Sequence, residues 1–427
     1  MKAMSRLLLA FLLSAPVACG SGGDRGAPST GGSSGSTGGS GGRTPTGGSQ
    51  AGGAGGSGGA GPVQGLDAPS TTVNDAGAGT TNDASGADGE SARADASSAT
   101  EGGAGDRQIL NRVRVHGKEG GIHQHARGPF DLGTGPFSSV RLTVELDTTC
   151  FPFERWRDDP PPMGQNFPPK CDAYDRRFEI VLDPPTRDSD PPAIELVRAM
   201  TPFGGPMRFE ADITDVINGR PGPHTLEAYI DTWPQGSGAN TGSDGGWFVS
   251  ASITATPGPA PREVLAVVPL YYGSQRTPMV GPLAFTIPSG STKTRIEYRA
   301  TGHTLEAGPR DSACNGAPEE FCRRTHTLLL DGQNVDEFSP YRTDCTSLCT
   351  LVTGTVGNTM RSYCKENPTG QIASVRAPRA NWCPGSVTPP RVLEPAIAPG
   401  QHELSWRVST LQSGGMWRAS AVIFAYR

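Results

Sequence analysis

The stretch Val140-Arg141-Leu142-Thr143-Val144-Glu145-Leu146 decides the fold class, because apolar side chains recur at every second position with polar or charged ones between them. A strand sends alternate residues to opposite faces, so this pattern buries one face of a sheet. The same period returns in Phe178 to Leu182, in Arg295-Ile296-Glu297-Tyr298-Arg299 and in Leu404-Ser405-Trp406-Arg407-Val408. Gly and Pro clusters separate these runs, and no sustained helical period follows Asp106. An all-β sandwich or barrel architecture is expected. The roughly 320 residues from Asp106 onward exceed what one sandwich needs. Thr256-Pro257-Gly258-Pro259-Ala260-Pro261 marks a stiff break. Two domains are therefore expected, 106–257 and 262–427, with Val264-Leu265-Ala266-Val267-Val268-Pro269-Leu270 as the buried opening strand of the second.

The front of the chain reads differently. Residues 1–18 have the form of a lipoprotein-type signal peptide: Lys2 and Arg6, an apolar run from Leu7 to Leu13, then Val17-Ala18 before Cys19. Cys19 would carry the lipid, while Pro16 leaves an ordinary secretory signal as the alternative. The expected location is exported, as an outer-membrane or cell-surface lipoprotein or a secreted protein. No later run reaches the eighteen or so apolar residues of a membrane span, so membrane contact is expected only through the lipidated N-terminus. Residues 19–105 form a Gly/Ser/Thr-rich linker whose only large aliphatic side chains are Val63, Leu66 and Val73. Such a segment buries too little to offset its ordering entropy, and it is expected to be a disordered tether spanning roughly 50 Å. Gly31-Gly32-Ser33-Ser34-Gly35 matches the hydrolase elbow pattern there, as a Gly/Ser tract does by chance.

Eight cysteines remain beyond Cys19: Cys150, Cys171, Cys314, Cys322, Cys345, Cys349, Cys364 and Cys383. An even number in an exported chain argues for disulfides. A metal site is disfavoured, since there is no C-x-x-C pair and no histidine pair at zinc-finger spacing. A net charge of −5 without a basic block gives no sign of a nucleic-acid partner.

Four motifs carry the chemistry: Cys171-Asp172-Ala173-Tyr174-Asp175-Arg176, Tyr229-Ile230-Asp231-Thr232-Trp233, Glu320-Phe321-Cys322-Arg323-Arg324-Thr325-His326 and Arg379-Ala380-Asn381-Trp382-Cys383-Pro384-Gly385. Together they resemble the peptide-N-glycosidase F family, whose motifs read C-D-x-W-D-R, T-E-T-W, E-W-C-F-R-T-H and D-R-A-G-W-C-P-G. Thr201-Pro202-Phe203-Gly204 and Asp212-Ile213-Thr214-Asp215 add similar turns. The resemblance implies two adjacent antiparallel jelly rolls with a site between them, and hydrolysis of the GlcNAc–asparagine amide of N-glycosylated proteins or peptides. The intact glycan would leave and aspartate would remain, with no metal and no cofactor; a monomer is expected.

The resemblance carries catalytic roles onto Asp175, Glu320 and Asp231, and substrate binding onto Arg176, Tyr174, Trp233, Arg379, Trp382 and Phe321. It suggests disulfides Cys150 to Cys171 and Cys314 to Cys322, and one of Cys345 or Cys349 to Cys383, leaving Cys364 the remaining partner. The chain departs from the family in several places. Tyr174 replaces tryptophan, Pro378 replaces an acid, and Thr301 stands where a tryptophan precedes Gly302-His303. Asp231 replaces glutamate, which sets its carboxylate back by about 1.5 Å. Seven residues separate Cys314 from Cys322 where the family has fewer, which makes Glu319 a rival to Glu320. The insert from Phe151 to Lys170 has no counterpart and is expected to rim the cleft.

These residue types suit amide hydrolysis, which needs an activated water, charge stabilisation on the carbonyl oxygen and a proton for the departing nitrogen. Closely spaced acids push one pKa upward, as acid/base work at neutral pH requires. Two other functions compete. One is a glycan-binding protein of the same fold that lost turnover, motivated by Asp231, Thr301 and Pro378. The other is a copper-dependent monooxygenase, whose paired jelly rolls are alike; His123-Gln124-His125 is the only close histidine couple, and a solvated loop explains it better. His326 is expected to be a hydrogen-bonded strand residue.

Overall fold

The computed structural model describes residues 106–118, 121–151, 156–233, 244–304, 314, 319–356 and 359–427. The expected signal peptide, Cys19 and the tether lie outside the described residues. The first half supplies β1 (Asp106–Lys118), β2 (Gly121–His123), β3 (His125–Asp131), β4 (Phe137–Asp147), β5 (Arg177–Leu182), β6 (Ile194–Met200), β7 (Met207–Asp212), helix α1 (Thr214–Gly219), β8 (Pro223–Ile230) and β9 (Gly246–Pro257). After the proline break come β10 (Val264–Gln275), β11 (Met279–Ile287), β12 (Lys293–Thr304), β13 (His326–Leu330), β14 (Gln333–Phe338), β15 (Leu351–Val356), β16 (Thr359–Cys364), helix α2 (Ile372–Arg376), β17 (Val387–Thr388), β18 (Arg391–Leu393), β19 (Gly400–Val408) and β20 (Gly415–Tyr426).

These strands form two antiparallel jelly-roll sandwiches. One encloses a core between the sheets β2-β1-β9-β4-β7 and β17-β6-β5-β8-β3; the other lies between β10-β20-β12-β18 and β11-β19-β13-β14. Strand β4 shows why the alternation was decisive: Val140, Leu142, Val144 and Leu146 are buried, and Arg141 and Glu145 face outward. Each such buried side chain contributes about 1.5–3 kcal/mol against the unfolded chain. Strand β20 is apolar on both sides because both sides are covered. Trp417, Ala419, Ala421, Ile423 and Ala425 enter the second core, whereas Val422, Phe424 and Tyr426 pack with the first.

The expected opening strand is present as β10, but it is not buried throughout. Of Val264 to Leu270 only Val267 is buried, and the rest are partly exposed. The reason is position: β10 lies at the edge of its sheet and has one strand neighbour, β20. Strand β17 crosses between the halves, since Val387 pairs with Ala199 and Thr388 with Arg198, adding a rung from the C-terminal half to the first sandwich.

A row of buried ions joins the sheets that face one another. Glu179 on β5 takes Arg418 of β20 as a two-pronged partner, Nε to Oε1 at 2.9 Å and Nη2 to Oε2 at 2.8 Å, and also accepts from Tyr272. Glu195 on β6 holds Arg198 at 2.7 Å through both oxygens and accepts from Ser420. Burial alone would raise the Glu179 carboxyl, but Arg418, Arg198 and Arg177 outweigh it and hold it well below the usual carboxylate range. Removing one member strands the other charge in a dry seam. Arg418→Met is expected to destabilise the protein by about 3–5 kcal/mol in urea unfolding at pH 7. Adding Glu179→Gln to that variant is expected to recover more than half of the loss.

Candidate active site

The turn from Cys171 to Arg176 is fixed before it presents anything. Cys171 is bonded to Cys150, and both are fully buried. Fully buried Asp172 accepts the Tyr174 backbone N–H at 3.1 Å, which closes a tight side-chain turn. It also receives Arg176 Nε on both oxygens, at 3.1 and 2.9 Å, and the Thr232 hydroxyl at 2.5 Å. The Arg176 N–H meets Thr201 Oγ1 at 2.8 Å, and the Thr201 N–H returns to the Arg176 carbonyl at 2.8 Å. Asp175 is left between these anchors with 15% of its side chain exposed.

The second sandwich brings two adjacent acids with opposite fates on the 3-10 turn Glu319–Phe321. Glu319 is fully buried and its four lone-pair sites are taken. Arg324 donates twice at 2.9 and 2.7 Å, Trp417 Nε1 at 3.0 Å and the Gln412 N–H at 3.1 Å. Glu319 is therefore an anchor, and its neighbour Glu320 is the one that keeps 27% of its side chain exposed. The Glu320 carbonyl takes the Ala380 N–H at 2.7 Å, tying this turn to the fourth motif.

Arg379 joins the two halves of the site. Its guanidinium lies between the rings of Phe321 and Trp382, 4.7 and 4.3 Å from their centroids. Nη1 donates to Glu320 Oε1 at 2.9 Å; Nη2 donates to the Ser374 carbonyl and hydroxyl at 3.0 and 2.9 Å and stands 3.7 Å from Asp175 Oδ2. The backbone permits this through two special positions. Asn381 sits at φ +67°, where glycine or asparagine is accommodated, which accounts for asparagine where the resembling motif has glycine. Gly302 lets β12 approach so closely that a side chain there would strike Ala380.

Asp175 has its pKa pushed up to about 7. Burial is the largest cause, the Arg379 cation opposes it, the Glu320 charge adds to it and Arg176 opposes it again. A carboxyl balanced there exchanges protons near neutrality, which is what acid/base chemistry needs.

Asp231, the third acid, is enclosed by donors. Arg177 Nε and Nη2 reach its Oδ2 at 2.9 and 2.6 Å, and Tyr229 Oη and Trp233 Nε1 reach Oδ1 at 3.1 and 2.7 Å. Its N–H bonds to the Arg177 carbonyl at 3.0 Å, beside the Asp175 turn. Trp233 remains 49% exposed. Two residues expected to touch substrate do not offer a surface. Arg379 and Trp382 are each 1% exposed, and the Trp382 indole donates to the Gly302 carbonyl at 2.9 Å and stacks on His303. They are packed inside the protein, with Arg379 against the two carboxylates and Trp382 against Arg379. Tyr174 is half-buried with Arg176 over its ring at 4.7 Å, and Phe321 is half-buried against Arg379.

Sequence reading passed over Arg177, Tyr229, the Asp172 hub and Ser374. Arg177 had a signal: with Glu179 it alternates against buried Phe178 and Ile180 on β5. The open disulfide choice resolves as Cys345–Cys383 and Cys349–Cys364, with Cys314–Cys322 closing the loop that contains Glu320. Four disulfides are those of a chain folded in an oxidising compartment. Of the insert, Trp156 donates to the Cys150 carbonyl at 3.2 Å and Phe167 packs on the Cys150–Cys171 bridge. His326 sits in β13 with Nδ1 2.9 Å from the Tyr298 hydroxyl, and burial depresses its pKa to about 3. The His123 ring lies 4.7 Å from that of His116. Among the described residues no group of three or more His, Cys, Asp or Glu is placed to hold a metal ion, and no helix is long and apolar enough to cross a membrane.

Comparison with known proteins gives one family match. Residues 272–426 match the profile described as peptide-N-glycosidase F, C terminal. Among curated protein sequences, none matches the chain. Solved structures align over 75% of the chain. PNGF-II does so at 16% identity and a TM-score of 0.55, with the chain spanning 65% of that protein's length. The peptide-N(4)-(N-acetyl-β-D-glucosaminyl) asparagine amidase does so at 17% identity and 0.54, with 95% of its length covered. PNGase F of Flavobacterium meningosepticum, described as a glycosylasparaginase, gives the same values. The chain thus resembles the peptide-N-glycosidase F family in its C-terminal half and shares the paired jelly-roll fold.

The raised Asp175 pKa has a consequence for stability. The unfolded carboxyl ionises near 3.8 and the folded one near 7, so this contribution to stability is complete below the lower value and is lost as pH rises to the upper one. Asp175→Asn is expected to match the unaltered protein in urea unfolding at pH 3.5 and to exceed it at pH 8 by on the order of 3 kcal/mol.

Proposed function

Because residues 272–426 carry the C-terminal domain of the peptide-N-glycosidase F family and both sandwiches share that enzyme's fold, we propose that this chain is an amidase that hydrolyses the GlcNAc–asparagine bond of N-glycosylated proteins or peptides. The observation that carries the reading is the meeting of Asp175 and Glu320, from different sandwiches, at the one guanidinium of Arg379.

In this reading Asp175, ionised above pH 7, takes a proton from a water as that water's oxygen bonds to the amide carbon. The tetrahedral intermediate then collapses, the C–N bond breaks, and Asp175 returns the proton to the departing nitrogen. Asparagine becomes aspartate, and the glycan leaves intact as a glycosylamine. Glu320 orients the water and the amide from the opposite wall. Arg379 acts through the two carboxylates, since its forks are occupied and its side chain is buried. Arg176, held on Asp172 with 16% of its side chain exposed, is in this reading the cation that meets the carbonyl oxygen. A second reading, a glycan-binding protein without turnover, draws on Asp231, whose lone pairs are already taken by four donors.

Mass spectrometry of an N-glycopeptide after incubation decides between them. Hydrolysis converts asparagine to aspartate and frees the glycan; binding alone leaves the glycopeptide whole. Asp175→Asn is expected to lower the rate by at least about 10³-fold, and a fully active variant removes Asp175 from the mechanism. The rate is expected to rise through pH 7 as Asp175 ionises. In Glu320→Gln, which removes a charge that raises the Asp175 pKa, the residual activity is expected to show that rising limb at lower pH.

A further inference from the structure

We infer that Asp231 is a positioning residue that holds the exposed indole of Trp233 as a rigid platform for a pyranose ring, and that Arg177 and Tyr229 commit it to that role. This rests on the amidase reading for the nature of the sugar, the reducing-end GlcNAc disaccharide of an N-glycan, and on geometry for the rest.

A carboxylate offers about four lone-pair sites. All four on Asp231 are met: Oδ2 by Nε and Nη2 of Arg177, Oδ1 by the Tyr229 hydroxyl and the Trp233 indole N–H. No site is left to accept a water or a sugar hydroxyl. Arg177 puts both of its prongs on the single oxygen Oδ2, while Tyr229 and Trp233 hold Oδ1, so the carboxylate is fixed by contacts at both of its oxygens. The indole bond at 2.7 Å then carries that orientation to Trp233. Thr232, between them, is fully buried and donates to Asp172, so backbone and side chain are both held. The indole nonetheless keeps 49% of its surface exposed. An aromatic ring anchored through its N–H and left half-exposed is suited to stacking against the C–H face of a sugar. Fixing it beforehand reduces the entropy lost on binding. The platform stands beside the Asp175 turn, since the Asp231 N–H bonds to the Arg177 carbonyl two residues beyond Asp175.

The test is a cycle of Asp231→Asn, Trp233→Ala and their combination, with Arg177→Met alongside. Calorimetric titration of each with di-N-acetylchitobiose is expected to show about tenfold weaker binding for each single variant, and no further loss in the combined one. In glycopeptide hydrolysis the loss is expected to fall on KM, with kcat changed less than about threefold. Additive losses, or a fall in kcat at unchanged KM for Asp231→Asn, would show that Asp231 meets the reacting groups and would overturn the inference. The anchor is read separately, without sugar or activity, from the indole N–H resonance of Trp233, expected to move in Asp231→Asn and Arg177→Met. An unmoved resonance overturns the clamp whatever the enzyme does. A moved resonance in a protein that binds no disaccharide refutes the amidase reading and the sugar platform together, leaving only the contact.

Discussion

Two carboxylates that would repel each other in a low-dielectric cleft share one guanidinium, and much of the structure serves that arrangement. Arg379 has Phe321 and Trp382 within cation–π distance, bonds Glu320 and approaches Asp175. An arginine so placed lowers the cost of bringing the acids together without cancelling it, because burial and mutual repulsion still push Asp175 up to about 7. Each part around it limits a freedom. Ser374 of α2 takes the other fork, Glu319 locks the turn that aims Glu320, and Asp172 locks the turn that aims Asp175. The seam of Glu179, Arg418, Glu195 and Arg198 ties the two facing sheets together, through Arg418 on Glu179 and Ser420 on Glu195.

What could be read in the sequence follows from what is local. The alternation of Val140 to Leu146 needs no knowledge of the rest of the chain to announce a strand, and the eight cysteines announce covalent bracing. The four motifs located three of the acids and Arg379, because each is a short run held in a turn. Burial was not legible, since it depends on what the other sandwich lays on top. Trp382 and Arg379 read as ligands and are packed beneath the surface. Val264 to Leu270 read as buried because it is apolar, but an edge strand has one neighbour. Arg177 escaped notice because its partner Asp231 lies 54 residues away, across a pair of strands that only the fold brings together.

Glu319 and Glu320 show how little separates a saturated acid from a partly exposed one. They are adjacent and chemically identical, and the difference is the number of donors around each. Asp231 belongs with the saturated group by the same measure. Where a sequence motif supplies the right residue type, hydrogen-bond capacity decides whether any of it is left for a ligand.

Strand β17 carries a consequence of another kind. Its two residues come from the C-terminal half, yet they complete a sheet of the N-terminal one through Ala199 and Arg198. A piece ending at the proline break would expose the edge of β6 and invite pairing between copies. Fragments made for crystallography or for split reporters would therefore aggregate if cut there. The same stitch opposes any gaping of the two sandwiches, because a rung from one is hydrogen-bonded into a sheet of the other.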